Sequence, residues 1–314
     1  MARVLVTRQL PAGGLDPVVA AGHEIVQRAD DTPWTHAELV AAVADVDAIV
    51  CLLTDRIDEA VLAAGGARLR VVANIAVGYD NIDVPAASAR GITVCNTPGV
   101  LYETTADLAF FLVLAATRLT HDAEADLRAG TWTGWGINQY LGRDVHGATL
   151  GIVGYGRIGR AVARRATGFG MSVLHHTRTD TGESGWVGDL HRLLAEADIV
   201  SIHVPLNDGT RHLIGAPELA CMKPTAVLVN TARGPVVDEV ALATALVDGT
   251  IFAAGLDVFE REPEVHPALL AAPRTVLLPH IGSASVATRT RMARVAGEGV
   301  VAVLAGHVPP NVVR

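Results

Sequence analysis

Three motifs follow one another in the second half of the chain: Asn230-Thr-Ala-Arg233-Gly, then Gly255-Leu-Asp257-Val-Phe with Glu260-Arg-Glu262-Pro, then Pro279-His280-Ile-Gly-Ser283. Each comes just after a short aliphatic run that reads as a β-strand, and open α/β sheets bind their ligands at the carboxyl ends of strands. The residue types suit the reduction of a 2-keto acid. An arginine offers a bidentate grip on a carboxylate. A histidine is the natural proton donor to a developing alkoxide, and a neighbouring carboxylate would keep that donor protonated near neutral pH. Taken singly, each has an ordinary structural reading: Arg233 as an ion-pair partner, Glu262 as a loop charge before Pro263, His280 as a satisfied buried histidine.

A second source of chemistry is Gly151-Ile-Val-Gly154-Tyr-Gly156-Arg-Ile-Gly159, a strand running into a glycine-rich turn and then into a helix. Gly154 permits the tight turn, Gly156 lets a pyrophosphate approach the backbone, and Gly159 lets helix and strand pack closely. Free N–H groups and the helix dipole attract phosphate there, so Gly154, Gly156, Arg157, Ile158 and Gly159 are the expected pyrophosphate contacts. An acid about 20 residues further on usually binds the adenosine ribose of NAD, whereas an arginine nearby accommodates the 2′-phosphate of NADP. Here Thr177 occupies the acidic slot, and Arg178 with the hydroxyls of Thr177 and Thr179 would suit a phosphate through charge-assisted hydrogen bonds. That favours NADP, and Asp180 close by keeps NAD as the alternative.

Together these motifs resemble the D-isomer-specific 2-hydroxyacid dehydrogenase family over nearly the whole chain. GYGRIG, the run His203-Val204-Pro205-Leu206, NTARG, GLDVFEREP and PHIGS stand in the family's order and spacing. The resemblance implies Arg233 as the substrate-binding arginine, His280 as the acid/base and Glu262 as its partner. It also implies a cofactor lined by His203, Val204, Pro205, Thr231, Ala232, Arg233, Asp257, His280, Gly282 and Ser283, with Asp257 at the nicotinamide carboxamide. Ala76-Val77-Gly78-Tyr79-Asp80, which the residues alone mark only as a glycine turn, resembles the loop whose backbone N–H groups, at Val77 and Gly78, take the substrate carboxylate.

Within the family, Ile49–Asp58 and Gly130–Trp135 are most similar to glyoxylate and hydroxypyruvate reductases. Leu53 would then face a small uncharged substrate tail. The segment around 120–145 would be a dimerisation arm, with Trp135 either reaching the partner's active site or serving as a core or interface aromatic. The resulting expectation is an NADPH-dependent, homodimeric reductase of glyoxylate or hydroxypyruvate. The runner-up is D-3-phosphoglycerate dehydrogenase, although Leu52-Leu53-Thr54 offers no cation for a phosphate and only Arg56 is close. More distant is a dinucleotide-sensing, corepressor-like binding protein, which can keep the same residues.

Positioning these residues calls for an α/β fold. Runs at Arg3–Thr7, His23–Arg28, Ala48–Leu53, Arg70–Ile75 and Thr93–Cys95 read as strands, alternating with helices around 15–21, 36–44, 57–64 and 83–90, and such alternation implies parallel strands with crossover helices. The turn cluster Asn96–Gly99 and a long apolar helix, Thr104–Leu119, mark a passage into a second domain. Alternation restarts with strands at Thr149–Val153, Ser172–His176, Ile199–His203, Ala226–Asn230, Ala253–Asp257 and Thr275–Leu278, and with helices at 157–168, 189–195, 216–221 and 238–247. A last helix, about 284–305, packs back on the first domain. The expectation is two doubly wound, Rossmann-like parallel sheets. One is a discontinuous, flavodoxin-like substrate domain, 1–98 plus 285–314, and the other a dinucleotide-binding domain, 99–284.

Composition narrows the partners. Half of the 314 residues are hydrophobic but only 4% are aromatic, the aliphatic content of buried parallel strands and their covering helices. A formal charge of −8 without a basic block gives no footprint for nucleic acid or for an anionic membrane. Cys51, Cys95 and Cys221 show no metal or CxxC spacing and read as buried free thiols, so no metal site is expected. No apolar run reaches the roughly 18 residues of a membrane span, and the N-terminal run is too short for a signal-peptide core, so a cytoplasmic protein is expected.

Overall fold

The aliphatic runs of the first hundred residues form parallel strands β1 (Arg3–Val6), β2 (Glu24–Gln27), β3 (Ala48–Cys51), β4 (Val71–Asn74) and β5 (Thr93–Cys95), in the order β2-β1-β3-β4-β5. This is a computed structural model, and it describes residues 1–313. Every residue of β3 and β4 is buried, as for central strands covered on both faces. The crossovers are α1 (Asp16–Ala20), α2 (His36–Ala42), α3 (Glu59–Ala64) and α4 (Val84–Ala89). Thr35, Asp58 and Asp83 cap the last three by accepting first-turn N–H groups.

The long apolar helix α5 (Tyr102–Thr117) is followed at once by α6 (Thr120–Ala129). Leu119, in the left-handed region at φ 51°, ends the first earlier than its apolar pattern implies. No residue of α6 is buried, which is why hydrophobic periodicity does not reveal it. Then come β6 (Thr149–Val153), α7 (Arg157–Thr167), β7 (Ser172–His176), α8 (Leu190–Glu196), β8 (Ile199–Ile202), α9 (Ala216–Cys221), β9 (Val227–Asn230), α10 (Glu239–Val247), β10 (Ala253–Leu256), α11 (Pro267–Leu270) and β11 (Thr275–Leu277). The second sheet is also wholly parallel, ordered β7-β6-β8-β9-β10-β11, so the strand order reverses between β6 and β8. Where a doubly wound nucleotide sheet has a further strand beside β7, the described residues show only a parallel bridge, His175 to Trp186. Gly182 and Gly185, both at positive φ, leave no extended run there.

Helix α12 (Val286–Leu304) belongs with the first sheet. Met292, Ala293, Ala296 and Val300 join Val4, Val50, Val71 and Ala73 in one core. The chain then pairs antiparallel with β5 through Val312 and Cys95. The two compact units are Met1–Leu101 with the segment from Ser283 onward, and Tyr102–Gly282. Among the described residues no helix is long and apolar enough to cross a membrane. The three cysteines are free; Cys51 and Cys95 are buried, but Cys221, the last residue of α9, is only half-buried. Burial pushes the Cys51 thiol well above its ordinary pKa and that of Cys95 up to about 11, so neither is a ready nucleophile.

Candidate active site

Strands β9, β10 and β11 end side by side, and the loops after them carry the charged residues. Asn230, the last residue of β9, accepts the Ala232 N–H at 3.0 Å and donates to the Arg233 carbonyl at 2.9 Å, closing the turn that presents Arg233. Glu262 accepts the Phe259 N–H at 3.0 Å with one oxygen, and the other lies 2.8 Å from His280 Nδ1. His280 sits in the left-handed region at φ 53°. Its turn is held by Asp257, whose carbonyl accepts the His280 N–H at 2.9 Å and whose carboxylate accepts the Ile281 and Gly282 N–H groups at 2.7 Å each. Burial pushes the Asp257 carboxyl above its ordinary pKa against those bonds and the nearby His280 charge.

The His280 and Glu262 side chains are 25% and 26% exposed, shielded yet open enough to meet a small molecule. Burial opposes ionisation of Glu262, but the His280 hydrogen bond and charge, the Phe259 N–H and the Arg233 charge outweigh it and hold its pKa below the usual carboxylate range. Because the folded pKa is depressed, the pair is complete above the ordinary glutamate range and is lost only as pH falls through the lowered value. An ionised Glu262 is acceptor-only, so Nδ1 carries a proton and Nε2 is the nitrogen left for a ligand. Glu262→Gln keeps an acceptor for Nδ1–H and removes the charge. The alkaline limb of a kcat/KM profile is expected to move to lower pH in this variant, and an unmoved limb would remove Glu262 from that role.

The glycine loop sits between β6 and α7. A Cβ on Gly154, at φ 96°, would lie 2.6 Å from the His203 carbonyl carbon and 2.8 Å from the Val204 nitrogen, and one on Gly159 would overlap the Gly154 carbonyl. Gly156 begins α7 without a side-chain cap, and a Cβ there would meet nothing within 4 Å. The first-turn N–H groups at Arg157, Ile158 and Gly159 thus have an open face. Arg157 is exposed, and Ile158 is partly packed in the core. Beyond β7, the Thr177 hydroxyl donates to the Thr179 carbonyl at 2.7 Å, and Asp180 accepts the Gly182 N–H at 2.8 Å. The exposed Arg178 has no hydrogen bond or ion pair among the described residues.

At the end of β8, the His203 N–H donates to the Val153 carbonyl at 2.7 Å, and burial of its imidazole lowers the pKa to about 3. His203 Nε2 is 2.8 Å from the Ser201 hydroxyl, and Nδ1 is buried without a partner. Val204 packs partly on the core, and the exposed Pro205 accepts the Thr210 hydroxyl at 2.7 Å. Thr231 Oγ1, beside the half-buried Ala232, is likewise buried and unpartnered. An open cradle at Gly156 and an orphaned hydroxyl at Thr231 fit a dinucleotide lying along the carboxyl edge of this sheet.

In the first unit, Val77 and Gly78 follow β4, and their N–H groups have no acceptor among the described residues. Leu53 is half-buried in the turn after β3. Ser283 accepts the Ser285 N–H at 2.8 Å. In the second unit Trp135 is 80% exposed, and Trp132, Ile137 and Leu141 are exposed with it. Sequence reasoning assigns no role to Asn74, or to Asn230 and Gly234 within the motif that carries Arg233. The signal for the two asparagines is slight: a single amide ending an otherwise aliphatic strand.

A dinucleotide cradle at one strand end and a histidine–carboxylate pair a few strands along suit hydride transfer, and the class they define is the nicotinamide-dependent oxidoreductases. Residues 110–282 match the family model described as D-isomer specific 2-hydroxyacid dehydrogenase, NAD binding domain. The chain is 50% identical over 319 residues to the glyoxylate reductase of Korarchaeum cryptofilum, covering 99% of this chain and 95% of that one. The crystal structure of the TT0316 protein from Thermus thermophilus superimposes with a TM-score of 0.94 at 45% identity, covering 99% and 100% of the two chains. That of the NADPH-dependent glyoxylate/hydroxypyruvate reductase of Sinorhizobium meliloti, in complex with NADP and malonate, does so at 0.88 and 37% identity, covering 99% and 96%. The chain belongs to the D-isomer-specific 2-hydroxyacid dehydrogenase family and is an oxidoreductase acting on CH–OH donors with a nicotinamide dinucleotide.

Proposed function

We propose that the protein reduces glyoxylate to glycolate, or hydroxypyruvate to the D-2-hydroxy acid, with NADPH, and that it works as a homodimer. The observation that carries the reaction is the His280–Glu262 pair at 2.8 Å, with the Arg233 charge close enough to favour ionised Glu262. When bound, the nicotinamide supplies the hydride. Gly154, Gly156, Arg157, Ile158 and Gly159 hold the pyrophosphate. His203, Val204, Pro205, Thr231, Ala232, Arg233, Asp257, His280, Gly282 and Ser283 line the remainder of the cofactor.

Arg233 grips the substrate carboxylate and carbonyl oxygen, the Val77 and Gly78 N–H groups take the carboxylate, and Leu53 meets the tail. His280 would give its proton to the carbonyl oxygen, and Glu262 fixes the ring and its charge. Glyoxylate is favoured by the activity named for the Korarchaeum relative and by the lack of a cation in Leu52-Leu53-Thr54. Arg56, the nearest cation to Leu53 in sequence, is 3.0 Å from Asp58 and paired with it. For the homodimer, the exposed Trp132, Trp135, Ile137 and Leu141, with Leu127 and Phe111, are an apolar set that self-association would cover. In such a dimer Trp135 would either reach the partner's substrate or serve as an interface aromatic.

NADPH is favoured by the unpaired Arg178 and by the engagement of Asp180 with its own turn. Thr177 shapes this loop through its bond to the Thr179 carbonyl, and with its proton committed there Arg178 is left as the principal phosphate contact. Arg178→Ala is expected to raise the KM for NADPH about tenfold or more while that for NADH changes little. Equal changes for both would remove Arg178 from the phosphate. The overall reading is tested by initial rates with NADPH and NADH on glyoxylate and hydroxypyruvate, and with 3-phosphoglycerate in reverse. Activity confined to 3-phosphoglycerate would transfer the protein to that reaction, and no turnover would favour a binding protein.

A further inference from the structure

The loops after β3 and β4 carry Leu53 and the Val77–Gly78 N–H groups, and a parallel backbone bridge joins them at Ile57 and Ile82. Further amide donors, one backbone and the others on side chains, hold the segments between. The Ala76 carbonyl accepts the Thr97 N–H at 2.8 Å, the Val77 carbonyl accepts the Asn96 amide at 2.8 Å, and the Gly78 carbonyl accepts the Asn74 amide at 2.9 Å. Three successive carbonyls are therefore held in place. In a trans peptide unit the N–H points opposite to its C=O, so the N–H groups of Val77, Gly78 and Tyr79 are directed away from the amides that hold those carbonyls. The fully buried Asn74 also donates to Asn81 Oδ1 at 3.0 Å. Asn81 in turn donates to the Leu52 carbonyl at 3.1 Å and the Asp55 carbonyl at 2.9 Å, the two ends of the turn that contains Leu53. Asp55 closes that turn by accepting the Leu52 N–H at 2.7 Å and the Thr7 hydroxyl at 2.5 Å.

We infer that Asn74, Asn81 and Asn96 form one frame that sets the separation between the carboxylate-binding N–H groups and Leu53, and with it the size of 2-keto acid the protein accepts. This role rests on the reading that those N–H groups bind the substrate carboxylate. The asparagines are positioning residues, and their tasks divide. Asn96 holds the anion end alone, whereas Asn81, through Asn74, ties the anion end to the tail end. Side-chain amides suit this task because each missing bond leaves a carbonyl short of a donor and the loop free to rotate its peptide.

The test compares the full-length Asn81→Ala and Asn96→Ala variants with wild type. Both are expected to weaken binding of oxalate, an unreactive small dicarboxylate, about tenfold, and to raise the KM for glyoxylate alike, with kcat within about threefold and NADPH affinity unchanged. Only Asn81→Ala should shift the ratio of kcat/KM for hydroxypyruvate over glyoxylate, by about fivefold or more, because only it takes bonds from the Leu53 turn. A merely structural role would lower the melting temperature without separating the two variants on that ratio. Unchanged oxalate affinity in both variants, an equal ratio in both, or a wild type that binds no oxalate would each overturn the frame. If wild type binds oxalate but reduces neither acid, the functional reading fails and the oxalate affinities still decide the frame. Should Asn81→Ala not fold, Asn96→Asp, an isosteric change that removes the donor at a half-buried position, carries the oxalate measurement.

Discussion

His280→Ala is expected to lower kcat by about 10²–10⁴-fold while the dissociation constant of NADPH changes by less than about threefold. The imidazole is the proton donor of the proposed reaction, and nothing else in its turn can replace it. The turn itself does not depend on the ring. It is held by the His280 N–H on the Asp257 carbonyl and by the Ile281 and Gly282 N–H groups on the Asp257 carboxylate, all backbone donors that alanine retains. His280 lies at φ 53°, where histidine and asparagine are better tolerated than alanine. His280→Asn therefore serves as a second variant that keeps the backbone unstrained and still removes the acid. Single-turnover rates and a fluorescence titration with NADPH separate the two quantities. A loss of cofactor affinity matching the loss of rate in both variants would assign His280 to binding and leave the proton donor unidentified.

The parallel strands are legible in the sequence because most are buried on both faces, so Ala48–Cys51 or Val227–Asn230 can hardly be anything else. The glycine loop is legible for a similar reason: sterics at Gly154 and Gly159 admit no other residue. Helix α6 is not, since it buries nothing and so carries no hydrophobic stripe. The missing strand beside β7 has the opposite cause, a position where topology offers a partner but glycines supply no extended run. At the site, residue types point to Arg233, Glu262 and His280, yet their pairing comes from the family resemblance and not from spacing. The supporting groups are harder to see. Asn81 bonds Leu52 and Asp55 across 29 and 26 positions, and Asp257 bonds Ile281 across 24, so their partners exist only once neighbouring strands are aligned.

Gly234 is the sharpest instance of a demand that only the folded chain reveals, and Gly234→Ala is expected to destabilise the protein by about 3 kcal/mol or more. A Cβ at this position would overlap the Phe259 carbonyl and the Glu260 nitrogen, backbone atoms that no rotamer change can move aside. Relief would require the Phe259–Glu260 segment to withdraw from Arg233's turn. That segment is fastened: the Glu260 N–H donates to the buried Glu239 carboxylate at 2.6 Å, and the Glu239 N–H donates back to Glu260 at 3.0 Å. Withdrawal would leave a buried carboxylate short of a donor and would carry off the Phe259 N–H that orients Glu262. Any variant that still folds should therefore lose activity as well, by about a hundredfold for a displacement near 1 Å. Gly156→Ala is the contrast. Its Cβ meets nothing within 4 Å, so melting should match wild type and only cofactor affinity should suffer. Thermal unfolding and kcat measured on both variants decide the matter. A Gly234→Ala protein that melts and turns over like wild type would mean that the loops carrying Arg233 and Glu262 can separate freely, and that their close approach is incidental to the chemistry.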